Sequence, residues 1–380
     1  MHKHGNPDIL TFKGTYGTQH IIARCYKKEN DLAKMIKIAE DIADQHIHRY
    51  IGKTPPIDNR NYYIFEGYTY NLRELKKVDA STVHCKDDEN KKLYTFFLTC
   101  DSEPTEGFRV VLRDIVDGMC ELQGKEHGHG DLNENNVVIQ LKNNKRVIAK
   151  LTGMVDHGER LATVLRRDLV SLGKIIKFCL QDSEGSTGSE EWLDLTSRIL
   201  GDRSQFNQLE LKKAQALESN FIVDARIILR HPLFWTPDKC VVFIQKVVSF
   251  VKACKKRQQS WCKDIVNGFL TELESIPSKY WAERMHDEMI TLPNPMYDPG
   301  LVRDLLRFIR NKSCHFAEET LEIQQRLGRH PVEFYNYFRV RYPILLLETY
   351  KAVELHFPNL QHCQIVEENY FDDYLIRGNR

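Results

Sequence analysis

Apolar and polar residues follow two rhythms along this chain, and the balance between them shifts once. The first part mixes strand and helix spacing. ILTFKGTYGTQHIIARCY (Ile9–Tyr26) reads as two strands around a glycine-containing turn. DLAKMIKIAEDIADQH (Asp31–His46) has helical periodicity, YYIFEG (Tyr62–Gly67) reads as a short buried strand, and KLYTFFLTC (Lys92–Cys100) as another. From Phe108 onward helical spacing dominates, in FRVVLRDIVDGMCELQ and DLVSLGKIIKFCLQ, and the polar run DSEGSTGSEE (Asp182–Glu191) reads as an exposed loop. HPLFWTP (His231–Pro237) marks the shift. Beyond it the spacing is almost wholly helical: KCVVFIQKVVSFVKAC, DIVNGFLTELES, YWAERMHDEMI, VRDLLRFIR and PVEFYNYFRVRYPILLLETYKAVELHF. The pattern predicts an α+β domain over 1–235, an all-α domain over 236–366, and an acidic, aromatic tail over 367–380 that is either frayed or docked.

One helical stretch carries chemistry. In RDLLRFIRNKSCH (Arg303–His315), successive residues turn by about 100°, which places Asp304, Arg307, Asn311 and His315 within an arc of roughly 80°. Leu305, Leu306 and Ile309 point the other way. The plain reading is an amphipathic surface helix with a solvated polar face. The alternative is a site acting on a phosphodiester. Histidine gives or takes a proton near neutral pH, and arginine holds phosphate oxygens through its fork of donors. Arg310 lies off the arc. It joins such a site only if the helix breaks near Asn311, and otherwise pairs with an acid.

Composition narrows the class. With 380 residues, 42% hydrophobic and 28% charged, the chain is long enough for two cored domains. The net charge of +1 supplies no global field for nucleic acid or an anionic membrane, so any RNA contact has to be local. Ten scattered cysteines, none in C-x-x-C, with no secretory signal ahead of them, point to reduced thiols in the cytoplasm rather than a disulfide framework or zinc site. No run is apolar enough to span a membrane. DQHIH at 44–48 matches no metal motif and reads as solvated or structural histidine.

HGHGDLNENNVVI (His127–Ile139) has the H-x-D-x-x-x-x-N spacing of a protein-kinase catalytic loop, in His129, Asp131 and Asn136. Asp156, in MVDHG, stands where the metal-binding acid follows. In a kinase the first aspartate orients the acceptor hydroxyl, while the asparagine and second aspartate hold Mg²⁺. Several parts of that machinery are altered. Arg24 stands in the phosphate-binding lysine's place. Lys34 falls where its partnering glutamate belongs, with Glu40 an imperfect substitute. Asn133 replaces the lysine two residues after Asp131. No G-x-G-x-x-G occurs, and GTYG (Gly14–Gly17) fits a strand turn. The activation segment, from Gly158 to about Asp168, is short and lacks A-P-E. Phosphoryl transfer needs all its charge-neutralising groups together, so this frame reads as a pseudokinase. Asp131, Asn136 and Asp156 still permit ATP or ADP with Mg²⁺ held by Asn136 and Asp156; Arg24 and the missing loop weaken it.

A kinase frame ending in HPLFWTP and followed by helices containing DLLRFIRNKSCH resembles the kinase-extension nucleases, from about Ile9 to Phe357. The short activation segment and RRDLVSLGKII make it more similar to ribonuclease L than to the kinase/ribonuclease sensor of the unfolded-protein response. The resemblance implies a bilobal kinase-like domain with a truncated N-lobe, then an all-α nuclease domain. It implies His315 as acid, Tyr297 (in NPMYDPG) as base, Arg310 and Asn311 as holders of the scissile phosphate, and Asp304 as an orienting or capping residue. Trp281 (in KYWAERM), Arg307 and Tyr350 (in YPILLLETY) would bind RNA or support the site. By default Trp281 and Tyr350 would be core and Tyr297 plain surface. The implied reaction needs no metal or other cofactor. The substrate's 2′-hydroxyl attacks the phosphorus, leaving 2′,3′-cyclic phosphate and 5′-hydroxyl ends, and DNA is inert. Family members act as homodimers paired through the kinase-like domain. The ankyrin repeats of ribonuclease L and the lumenal and membrane segments of the stress sensor are absent here, which implies a fragment or a short relative with another trigger. Two rivals stand beside this reading: a non-catalytic regulator that titrates an active relative, and an active protein kinase, against which Arg24 and Asn133 argue.

Overall fold

A computed structural model describes residues 9–17, 19–26, 29–42, 44–57, 60–81, 105–141, 147–156, 158–180, 194–195, 199, 225–256, 263–277, 280–286, 297–362, 371 and 374. The strand expected at Lys92–Cys100 and the loop at Asp182–Glu191 lie outside them. The chain divides into two compact units, 1–229 with 378–380, and 230–377.

The first unit opens with an antiparallel hairpin, β1 (Ile9–Tyr16) and β2 (Gln19–Tyr26), turning at Gly17 as the spacing predicts. Helix α1 (Glu29–Asp41) follows, then β3 (Tyr50–Lys53) and β4 (Tyr63–Glu66), giving a four-stranded sheet in the order β1-β2-β4-β3. A second sheet joins β5 (Tyr70–Asn71), β6 (Val137–Leu141) and β7 (Val147–Leu151), with α2 (Leu72–Ser81) continuing from β5. Helix α3 (Glu106–Gly124) starts at Thr105, whose hydroxyl accepts the Phe108 N–H at 3.2 Å. Phe108, Val111, Leu112, Ile115 and Val116 recur at helical spacing, are fully buried, and place α3 against β7. Helix α4 (Leu161–Leu180) begins seven residues before Asp168, so the segment after Asp156 is shorter than the sequence suggests: the Arg160 carbonyl already accepts the N–H groups of Thr163 and Val164.

Two histidines of this unit are buried and neutral. Burial, with the Arg24 charge adding to it, lowers His48 to about 3, and burial lowers His129 to about 4. In the unfolded chain both take up a proton near pH 6.5, so their contribution to stability falls as pH drops from there toward the folded values. Asp168, raised by burial to about 6, works in the opposite direction and offsets part of this. Urea denaturation of the intact chain should give a midpoint at about pH 5 lower than at about pH 7, by roughly 2 kcal/mol of stability. A midpoint that is unchanged or higher would contradict two neutral buried imidazoles.

In the second unit, HPLFWTP belongs with the helices that follow it. Trp235 packs edge-on to Phe243, Tyr350 and Tyr374, and its indole N–H donates to the Arg230 carbonyl at 2.8 Å. Helices α5 (Pro237–Lys256), α6 (Lys263–Ser275), α7 (Val302–Cys314), α8 (Leu321–Leu327), α9 (Val332–Arg341) and α10 (Leu345–His362) enclose one core. Two expected helices differ. YWAERMHDEMI yields, among its described residues, only a 3-10 turn at Trp281–Arg284, flanked by a left-handed Tyr280 and an extended Met285. The long run from Pro331 splits into α9 and α10 because Pro343 offers no N–H and pushes Tyr342 out of helical geometry (φ −134°, ψ 67°). Of the tail, Phe371 and Tyr374 are described, and both are buried against Phe243 in the helical core.

Candidate active site

Helix α7 lacks a side-chain cap of its own, since Leu301 stands at its N-cap. Its first N–H, from Val302, donates instead to Glu274 of α6 at 2.7 Å, and Arg303 pairs with the same carboxylate at 3.6 Å. Asp304, in the first turn, accepts the backbone N–H of Asp298 at 2.9 Å and pairs with Arg307 at 3.2 Å. It therefore ties the loop that carries Tyr297 to the helix. The Arg307 guanidinium lies 4.7 Å from the centre of the Tyr297 ring.

Tyr297 is packed on two more sides, by Phe308 (5.3 Å between ring centres) and Trp281 (6.2 Å). Trp281 is itself buried. Its indole N–H donates to the Asp298 carbonyl at 3.1 Å, and its backbone carbonyl accepts the Tyr342 hydroxyl. So held, the Tyr297 oxygen accepts from the Asn311 amide at 2.9 Å, and the Asn311 carbonyl oxygen accepts from Arg310 at 3.0 Å. Helix α7 runs unbroken to Cys314, and among the described residues Arg310 meets no acid but bonds its neighbour, which brings it into the group.

His315 closes the helix, its N–H on the Asn311 carbonyl at 3.0 Å. The ring is half exposed, and its Nδ1 lies 3.0 Å from Glu318. A carboxylate on Nδ1 holds the proton of that nitrogen and orients the ring, so Nε2 accepts in the neutral ring and donates only from the imidazolium. Thus Asp304, Arg307, Tyr297, Trp281, Asn311 and Arg310 form one connected group, with His315 one turn beyond Asn311. Tyr350 takes the core position that apolar spacing favours by default. It is fully buried beside Trp235 and His231, with its hydroxyl 3.2 Å from Glu354. The pattern of residues does not single out Glu318, although its i+3 spacing to His315 is visible there, nor Ser313, which bonds His330 at 2.8 Å and Gln245 at 3.1 Å. Burial lowers His330, and the Asp238 charge opposes that.

In the sheet-bearing unit, the catalytic-loop pattern forms a compact polar knot. The Asn136 amide donates to the Asp131 carbonyl at 2.8 Å and to its carboxylate at 3.1 Å, and Asn133 bonds the same carboxylate. His129 is buried, its Nε2 3.0 Å from the Thr152 carbonyl. Asp168, which the sequence places only at the end of the activation segment, clamps the loop by accepting the N–H groups of His129 and Gly130 at 2.6 and 3.0 Å. Asp156 accepts the Gly158 N–H at 2.8 Å. Gly153, between these elements, has φ +75°, and a Cβ there would come within 2.7 Å of the Asn136 amide oxygen. Arg24 is buried, donates to Thr152 Oγ1 at 2.8 Å and stacks over Phe65, while Glu40 is exposed on α1. The side chain of Lys34 lies outside the described residues. For a metal, Asn136 and Asp156 remain the pair that the sequence points to. Among the described residues His46, Asp114 and Asp117 also bring ligand atoms within 4.8 Å of one another, with His46 already held between Asp44 and Asp114.

Known proteins resemble this chain in both units. Residues 242–367 match the family described as ribonuclease 2-5A. Across 98% of its length the chain is 25% identical to the serine/threonine-protein kinase/endoribonuclease IRE1 of Oryza sativa subsp. japonica, of which it covers 44%. It is 33% identical to the human serine/threonine-protein kinase/endoribonuclease IRE2 over 128 residues, 33% of this chain and 13% of that protein. A relative from Arabidopsis thaliana named as an inactive serine/threonine-protein kinase/endoribonuclease IRE1-like is 22% identical over 93% of this chain and 75% of its own length. The chain thus spans less than half of the rice relative. Among the described residues, no helix is long and apolar enough to cross a membrane.

Proposed function

We propose that this protein is a metal-independent endoribonuclease whose active group is carried by α7 and the Tyr297 loop, behind a pseudokinase domain. The observation that carries the reading is the continuous bond path Arg310–Asn311–Tyr297, with a histidine one helical turn on, inside the region similar to ribonuclease 2-5A. In this mechanism the ribose 2′-hydroxyl loses its proton to water while Tyr297 assists as base, its Oη accepting a hydrogen bond from that hydroxyl. The 2′-oxygen attacks the adjacent phosphorus, Arg310 and Asn311 hold the phosphate as charge builds on it, and His315 Nε2 protonates the departing 5′-oxygen. The bond formed is O2′–P and the bond broken is P–O5′, leaving a 2′,3′-cyclic phosphate and a 5′-hydroxyl. Single-stranded or looped RNA suits it, since the attacking oxygen must line up opposite the leaving one.

The kinase-like domain serves dimerisation in this proposal rather than phosphoryl transfer. Arg24 supports that role: its described bond goes to Thr152, where an active kinase carries a phosphate-binding lysine. ATP or ADP with Mg²⁺ at Asp131, Asn136 and Asp156 would then act as an allosteric ligand, and the protein would work in the cytoplasm as a homodimer. The test is incubation of the intact chain with a uridine-containing RNA in EDTA, beside the same strand carrying 2′-deoxyriboses. Cleavage of the first alone, rising more steeply than linearly with protein concentration, is expected. An inert wild type at high concentration, with and without nucleotide, would rule the enzyme out. That result would favour a regulator without activity, the reading that similarity to a relative named inactive supports.

A further inference from the structure

In the helical unit four of the described arginines are neutralised by carboxylates. Arg303 pairs with Glu274, Arg307 with Asp304, Arg326 with Glu322 and Arg329 with Glu333. Arg284, Arg310 and Arg341 have no carboxylate within ion-pair reach among the described residues, and all three border the Tyr297 group. Arg310 bonds Asn311. Arg284 ends the same 3-10 turn that Trp281 begins, and Arg341 fastens it there: Arg284 Nη1 donates to the Arg341 carbonyl and Arg341 Nε to the Arg284 carbonyl, both at 3.0 Å.

Arg341 is built in rather than dangling. Its guanidinium stacks 3.6 Å from the centre of the Tyr337 ring, donates to the Tyr337 carbonyl at 3.0 Å and lies 3.3 Å from His286 Nε2. Burial raises the Tyr342 hydroxyl, and the charges of Arg284 and Arg341 pull against that, which places both cations near it. Each arginine is thus braced on the other's backbone carbonyl, and among the described residues no carboxylate neutralises either, which leaves positive charge that favours an anion. Arg284 is exposed, with donors beyond its single bond, so it is the one able to reach outward.

We infer that Arg284, fixed by Arg341, is a second RNA contact: a grip on a backbone phosphate beside the scissile one. The inference rests on the RNA-cleaving reading above and goes beyond it, because these residues lie outside the reacting group. Such a contact carries affinity without base identity. It also gives a chain of near-zero net charge the local positive surface that RNA binding requires.

The test uses the intact chain, a fluorescein-labelled 2′-O-methyl oligouridylate that cannot be cut, and anisotropy titrations over a range of salt. Arg284→Gln should weaken binding about threefold to tenfold and lower the salt slope by about one, as expected when a single phosphate is no longer held. Arg284→Lys, which keeps the charge, should recover most of the affinity. On a cleavable strand the loss should fall on KM, with kcat unchanged, and a dinucleotide too short to reach the grip should be cut equally by both proteins. If wild type binds and cuts while Arg284→Gln matches it in Kd and salt slope, the grip is wrong and the nuclease reading stands. If wild type neither binds nor cuts, both fall.

Discussion

Replacing His315 by alanine should reduce RNA cleavage by about 10²–10⁴-fold, the range for losing one general acid, with the fold intact. The fold should survive because the ring is half exposed and the residue's structural part, an N–H on the Asn311 carbonyl, belongs to the backbone. Glu318 bears only on the orientation of the ring, so Glu318→Gln should cost far less, on the order of tenfold or below. Single-turnover cleavage in EDTA with protein in excess separates the chemical step from product release. Cutting by His315→Ala within about threefold of wild type would remove His315 from the proton-transfer role.

The second large effect is structural. Trp281→Ala should destabilise the helical unit by about 3–5 kcal/mol, since it empties a buried indole site. Activity should go with it even at temperatures where the unit stays folded, because Trp281 packs on Tyr297 and holds the Asp298 carbonyl. Trp281→Phe keeps much of the packing and loses one hydrogen bond, a cost of roughly 1 kcal/mol. Urea melts of the three proteins should rank wild type, Phe, Ala. A Trp281→Ala midpoint equal to that of wild type would mean that the indole is not part of the core that positions Tyr297.

Much of this is written in the spacing of residues. Leu305, Leu306 and Ile309 mark the buried side of α7, and Asp304, Asn311 and His315 its polar face, because helical period and burial are the same information. The hairpin at Gly17 and the α3 stripe are legible for the same reason. What stays hidden depends on approach between distant segments. Asp168 looks like one more charge in a polar run, and only the fold brings it onto the backbone of His129 and Gly130. Arg310 looks misplaced on a helical wheel, because a wheel ignores side chains long enough to bend back to a neighbour. Tyr350 fits its motif position and yet sits in the core, a reminder that spacing fixes neighbours along the chain more firmly than it fixes a role.

Helix α7 begins on a borrowed carboxylate, that of Glu274. Its two ends are therefore unequal in how they would come apart. Separation of α6 would release the Val302 end first, taking with it the Asp304 tether to Asp298 and loosening Tyr297, while the His315 end kept its own backbone bond to Asn311. In the proposed mechanism, mild stress would then take away Tyr297 before His315. Inactivation would be a parting of two partners that precedes unfolding, and it would reverse when α6 returned.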